Sequence, residues 1–130
     1  MNRHFFADDD PQAQKKGRCT EVELIREYMK QNLPKSEIRM FLDIHAHSAE
    51  SSIFIFSPQH KHMQDIVTTR NFASKLDETS EVFSIDKCTF QNEAYKKNCA
   101  RLGVFRDHKV VNSYTIESSC YGFDQKLTNH

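Results

Sequence analysis

The 130-residue sequence lacks the features that mark several protein classes. Its 18 basic and 18 acidic side chains give a formal net charge of zero, which argues against nucleic-acid or membrane-surface binding, since both rely on a basic excess. No apolar segment approaches the ~18 residues of a membrane span, and the first residues lack the apolar core of a signal peptide. The sequence therefore predicts a cytoplasmic protein with no nucleic-acid or membrane partner.

The sequence also contains few hydrophobic residues, and its four cysteines are widely spaced. No Cys-x-x-Cys pair occurs, so neither a zinc ribbon nor a disulfide framework is predicted, and the cysteines are interpreted as small core residues. These are Cys19, Cys88, Cys99 and Cys120. Hydrophobic residues make up 38% of the chain, below the ~45–50% of typical globular domains. The length predicts one domain with a thin core and no internal linker.

The spacing of hydrophobic residues predicts helices alternating with strands, and therefore an α/β fold. A capping box formed by Thr20 and Glu23 predicts the start of a helix that ends near Asn32. A second helix is predicted over residues 66–76. Strands or strand-like pieces are predicted over residues 38–44, 53–56, 82–85, 88–90, 101–106 and 113–117.

The stretch that most constrains function is residues 41–48, which begins apolar and ends in polar side chains. Its apolar part predicts a strand buried on both faces, as in the centre of an α/β sheet. Ligands and catalytic groups collect where such strands end. His45 could there offer a ring nitrogen to a metal, and Glu117, at the end of another strand, could take a proton from metal-bound water. This spacing alone also fits a structural histidine bonded to the backbone and a structural ion pair at Glu117.

Four segments in the same order resemble a known family. Residues 42–48 (LDIHAHS) resemble the Asp-(Phe/Leu)-His-Gly-His-Ser motif of the cytosolic carboxypeptidases. Residues 113–118 (SYTIES) resemble their Ser-Tyr-Thr-(Leu/Met)-Glu motif, and residues 83–90 and 100–106 match in character. The resemblance extends over nearly the whole chain and is most secure over residues 38–122. These enzymes belong to the zinc carboxypeptidase superfamily and include tubulin deglutamylases.

The resemblance implies a fold, a cofactor and roles for individual residues. The fold is the C-terminal part of a mixed-sheet zinc carboxypeptidase domain with flanking helices, present here as a partial domain. His45 would be a zinc ligand and Glu117 the general base. Asn2 and Arg3 would bind the substrate's C-terminal carboxylate, which suits a guanidinium fork with an adjacent amide donor. Tyr95 would contact the substrate.

Departures from the family pattern leave two functions open. The His-x-x-Glu pair that supplies two zinc ligands upstream of the Asn-Arg motif is absent, and one remaining ligand would hold zinc poorly. Ala46 replaces the family's glycine, and Ala49-Glu50 replaces a basic pair, which weakens the expectation of a polyglutamate substrate. The first hypothesis is a zinc metallocarboxypeptidase that removes C-terminal residues, possibly glutamates, from protein tails such as that of tubulin. The alternative is an inactive fragment or pseudoenzyme that at most binds acidic tails.

Other residues also allow two interpretations each. Asn2-Arg3 could be a solvated terminus, and His47 could orient its neighbour or make an ordinary hydrogen bond. His60 and His62 resemble a metal pair, but a polar loop explains them as well. Arg101 and Arg106 could meet an acidic substrate or face solvent.

An unrelated small α/β metal binder would require the four matches to be accidental. Finally, unpaired edges of an incomplete sheet predict aggregation of the chain expressed alone.

Overall fold

A computed structural model describes residues 20–33, 37–92 and 98–123. These ranges contain helices and strands in the mixed α/β order that the sequence predicts. The elements are α1 (Thr20–Asn32), β1 (Phe41–His47), β2 (Phe54–Phe56), α2 (Met63–Thr79), a 3-10 turn (Ile85–Lys87), α3 (Ala100–His108) and β3 (Ser113–Ser119). The predicted helix at residues 20–32 is confirmed, as are the existence of β1, β2, α2 and β3.

The three strands form one mixed sheet in the order β1-β3-β2. The last strand in the sequence, β3, is central, parallel to β1 and antiparallel to β2. Two isolated parallel bridges, Ile53 to Phe83 and Phe56 to Thr89, extend the sheet beyond β2. The predicted strand-like pieces at residues 82–85 and 88–90 are therefore single bridges on either side of the 3-10 turn.

Helices cover both faces of the sheet, and each face has its own small apolar cluster. On one face, Tyr114 stacks on Phe72 of α2 with ring centroids 4.8 Å apart, and Ile55 is fully buried with them. On the other face, α1 and α3 pack together beside Phe41; this cluster contains Val22, Met29, Ala100, Val104 and Val110. The side chains of Phe41, Asp43, His45 and His47 point to this second face, because alternate residues of a strand share a face.

The prediction that the first strand is buried on both faces is wrong. Exposure alternates along β1, and Leu42 and Ile44 on the α2 side of the sheet are 42% and 71% exposed. Within the described residues, β1 pairs only with β3, so it is an outer strand. Its apolar run was interpreted as a central strand because a strand covered on both faces and one with an uncovered apolar face have the same sequence pattern.

The prediction of a strand over residues 101–106 is also wrong, because these residues lie in α3. Five consecutive residues of this helix, Ala100 to Val104, are buried. A helix buried on all sides loses the polar stripe that reveals a period of 3.6 residues. Lys109 ends α3 in the left-handed conformation at φ 58°, and its backbone N–H donates to the carbonyl of Phe105.

The cysteines are only partly core residues. Cys99 is buried, Cys88 is half-buried and Cys120 is exposed, and all three are free thiols; Cys19 lies outside the described residues. Burial raises the pKa of the Cys88 thiol above its usual value. None of the helices in the described ranges combines the length and the apolar character of a membrane span.

Candidate active site

Two residues predicted from separate parts of the sequence meet at one end of the sheet. His45 on β1 and Glu117 on β3 are paired residues in the parallel register. Neighbouring strands lie about 4.8 Å apart, and paired residues present their side chains to the same face. Both side chains are half-buried. Because β1 and β3 are parallel, both residues also lie near the carboxyl ends of their strands, where α/β folds place ligands.

Asp43 holds the ring of His45. The Nε2 atom of His45 lies 2.8 Å from Oδ1 of Asp43, with both side chains partly buried. A ring N–H that donates to a carboxylate fixes the tautomer and orientation of a histidine, and metal-binding histidines commonly have such a partner. With Nε2 bonded to Asp43, His45 would bind a metal through Nδ1. The second carboxylate oxygen of Asp43 is buried and has no partner among the described residues.

A buried guanidinium lies on the same face. Arg101 of α3 is 1% exposed, and its carbonyl accepts a 2.8 Å hydrogen bond from the hydroxyl of Ser113. Its Nη1 atom lies 3.4 Å from Oγ1 of Thr115, which is two residues before Glu117 on β3. Its Cζ atom lies 5.3 Å from the centre of the Phe56 ring. Nε and Nη2 are buried without a partner in the described structure, although buried guanidinium groups normally have partners.

A His-x-x-Glu spacing does occur at the end of β1, formed by His47, the last residue of the strand, and Glu50 in the following loop. Glu50 pairs with Lys87 at 2.6 Å, which lowers the pKa of its carboxyl group. Nδ1 of His47 accepts a hydrogen bond from the backbone N–H of Ala49. His47 and Glu50 therefore interact with groups other than His45. They do not substitute for the His-x-x-Glu pair that supplies two zinc ligands in the family. Within residues 20–33, 37–92 and 98–123, no group of three potential ligands is close enough to hold a metal. Zinc binding by His45, which would need further ligands, stays a prediction.

The remaining predicted site residues lie outside the described residues. They are Asn2, Arg3 and Tyr95, so their roles, like those of His45 and Glu117, stay predictions. Sequence reasoning missed Asp43 as the partner of His45, although the spacing of two residues on a strand indicates a shared face. It also placed Arg101 on a strand rather than on a buried helix, and no local sequence signal corrects that error.

Comparison with known proteins supports the resemblance. No family model matches the chain. It is 28% identical over 95 residues to mouse (Mus musculus) cytosolic carboxypeptidase 2, covering 72% of this chain and 11% of that protein. It is 29% identical over 125 residues to mouse cytosolic carboxypeptidase 6, covering 95% of this chain and 22% of that one. It is 31% identical over 99 residues to zebrafish (Danio rerio) cytosolic carboxypeptidase 1, covering 66% and 9%. This chain resembles part of a cytosolic carboxypeptidase.

A solved structure shows the same fold. The crystal structure of a metallo-carboxypeptidase from Burkholderia cenocepacia matches 91% of this chain with a TM-score of 0.68, at 18% sequence identity. The match spans 28% of that protein, and the chain spans about a tenth to a fifth of the cytosolic carboxypeptidases named above. The predicted α/β fold, corresponding to part of a metallo-carboxypeptidase domain, is confirmed. These relatives are cytosolic by name.

Proposed function

We propose that this chain supplies the back half of the active site of a zinc metallocarboxypeptidase that removes residues from the C-terminal tails of proteins. The observation that carries the proposal is the register of the sheet, which pairs His45 with Glu117 across parallel strands. The similarity to cytosolic carboxypeptidases over most of the chain supports it. Zinc, when bound, would polarise the scissile carbonyl and supply an acidic water. We further propose a cytoplasmic location.

In this proposal each residue has one task. His45 binds the metal, and Asp43 fixes the direction of its ring. Glu117 has no hydrogen bond or ion pair among the described residues, so its carboxylate is available to take a proton from water and pass it to the leaving amine. Asn2 and Arg3 bind the terminal carboxylate of the substrate.

Arg101 supports a preference for an acidic terminal residue. Its Nη1 atom contacts Thr115, on the face of the sheet that carries Glu117, and its Nε and Nη2 atoms have no partner among the described residues. A buried guanidinium lacking a carboxylate is destabilising, and the carboxylate of a bound substrate would satisfy it. The acidic tail of tubulin is therefore the protein substrate that we propose. The proposed preference for an acidic residue depends on Arg101, because Ala49-Glu50 replaces the family's basic pair.

The test is the sequence of the transcript on the 5′ side of the Met1 codon, followed by an assay of its product. An in-frame His-x-x-Glu segment predicts release of glutamate from a polyglutamate peptide in the presence of zinc. Glu117→Gln should then lower kcat by about 10²–10⁴-fold, the usual contribution of a general base. Glu50→Gln, a carboxylate paired with Lys87, is the matched control and should leave kcat near that of the wild type. Equal activity of the two variants would refute the role of Glu117.

A second function is favoured if the transcript encodes no such segment. Arg101 and Asn2-Arg3 would then bind an acidic tail without cleaving it. In that case a glutamate-terminated peptide should bind, and Arg101→Met should weaken the binding while Glu117→Gln leaves it unchanged. Binding without any release of glutamate separates this function from the peptidase.

A further inference from the structure

Two adjoining cavities lie between α2 and the segment that follows the 3-10 turn, away from His45 and Glu117. Their volumes are about 200 and 400 Å³, and both are lined by Arg70, Phe90 and Gln91. We call them together the α2 groove. His60 lines the smaller cavity. Among the residues that the structure describes, none that lines either cavity is acidic.

His60 contributes a buried imidazole ring to the lining of the smaller cavity. The residue is only 9% exposed, and neither nitrogen has a hydrogen-bond partner among the described residues. The ring is held edge to face against Phe105, with centroids 4.8 Å apart. Burial lowers the pKa of His60, although the nearby Asp65 opposes that shift. The ring is therefore neutral at pH 7 and offers one donor and one acceptor. Because buried polar groups are normally bonded to protein or to water, the two ring nitrogens of His60 are available to a molecule that enters the groove.

Arg70 supplies the charge of the groove. Its guanidinium lies over the ring of Phe90, with Cζ 4.7 Å from the centroid. It makes no ion pair within the described structure. A guanidinium stacked on an aromatic ring keeps its edge open for a bidentate contact with an anion. The other walls are largely apolar and include Pro58, Ile66 and Ile85.

From these features we propose that the α2 groove binds an organic acid, with its carboxylate on Arg70, its apolar part against Phe90 and a polar atom on His60. The guanidinium of Arg70 can bind one carboxylate through two hydrogen bonds, and the imidazole of His60 can bond a second polar group of the same acid. The ligand is either a free small dicarboxylic acid or a glutamate side chain of an acidic peptide. The proposal does not depend on the peptidase function, because none of His45, Glu117 and Arg101 lines the groove.

Protection of Arg70 from chemical modification tests the proposal on the full chain. Phenylglyoxal labels accessible arginines, and peptide mass spectrometry measures the labelling rate of each one. Glutarate at saturation should slow labelling of Arg70 about fivefold or more, since protection rises as 1 + [L]/Kd. Arg39, an exposed arginine outside the groove, is an internal control whose rate should not change. His60→Phe keeps the aromatic contact with Phe105 and should weaken the protection.

Comparison of a peptide ligand with a small-acid ligand distinguishes the two possible sources of the carboxylate. A hexaglutamate peptide with blocked ends should protect Arg70 if the ligand is an acidic peptide, whereas protection by glutarate alone identifies a free small acid. Equal labelling of Arg70 with and without both ligands overturns the proposal. Equal protection by sulfate, which lacks an apolar part, overturns it as well. If His60→Phe fails to fold, the wild-type comparison with Arg39 still decides the outcome.

Discussion

Replacing Arg101 by methionine should stabilise the fold. The guanidinium is 1% exposed, and two of its nitrogens are buried without partners. Each unsatisfied buried donor costs about 1–3 kcal/mol. Methionine has a similar length and would keep the apolar contacts. The substitution loses a long 3.4 Å bond to Thr115, which contributes little, and a contact with the Phe56 ring of about 0.5–2 kcal/mol. The net gain in the free energy of unfolding is about 2 kcal/mol.

Urea denaturation followed by circular dichroism measures this gain. With an m value of ~2 kcal/mol/M, the midpoint should rise by about 1 M at constant m. Arg106→Met is the control on the same helix, because Arg106 is exposed and its replacement should change stability by less than about 0.5 kcal/mol. A fall of the Arg101→Met midpoint would refute the reasoning, since it would show that the guanidinium is already satisfied in the folded chain.

Three further predictions address the sheet edge, the core and pH. Leu42→Thr with Ile44→Thr should reduce concentration-dependent association in sedimentation velocity, because these side chains are exposed on an outer strand; unchanged association would exclude this edge as its cause. Ile55→Ala, at a fully buried position, should lower the free energy of unfolding by about 2–5 kcal/mol, whereas Met63→Ala, 72% exposed, should change it little. Because burial lowers the folded-state pKa of His60, the unfolded chain binds a proton first, so stability should fall as the pH drops below about 6.5. His60→Phe should remove that part of the pH dependence of the urea midpoint.

The sequence predicted the elements whose patterns are local. Helix α1 carries an apolar stripe through Val22 and Met29 and ends before a proline, so both of its ends could be predicted. The motifs around His45 and Glu117 identified residues that the structure pairs in register. The pairing itself could not be derived from either motif, because it depends on β3 lying beside β1 rather than beside β2.

The failures concern burial, which depends on neighbours distant in the sequence. Leu42 and Ile44 are as apolar as the residues of a central strand, and only the tertiary arrangement leaves them exposed. The sequence predicts that Arg101 lies on a strand and faces either an acidic substrate or solvent, yet Arg101 lies on α3 and is buried against the sheet. His60 was assigned to a polar loop because of its charged neighbours, although Phe105, far along the chain, holds it in the interior.

The strand order constrains how the site can form during synthesis. Strands β1 and β2 leave the ribosome first, but they do not pair with each other in the described sheet, because β3 lies between them. The pairings of β1 and β2 with β3 must therefore wait for residues 113–119, and they close long loops, which makes folding slow. Until then Leu42, Ile44 and the edge of β1 that pairs with β3 are open to other chains. His45 and Glu117 consequently meet only when the last strand inserts, so their proximity reports completed folding of the chain.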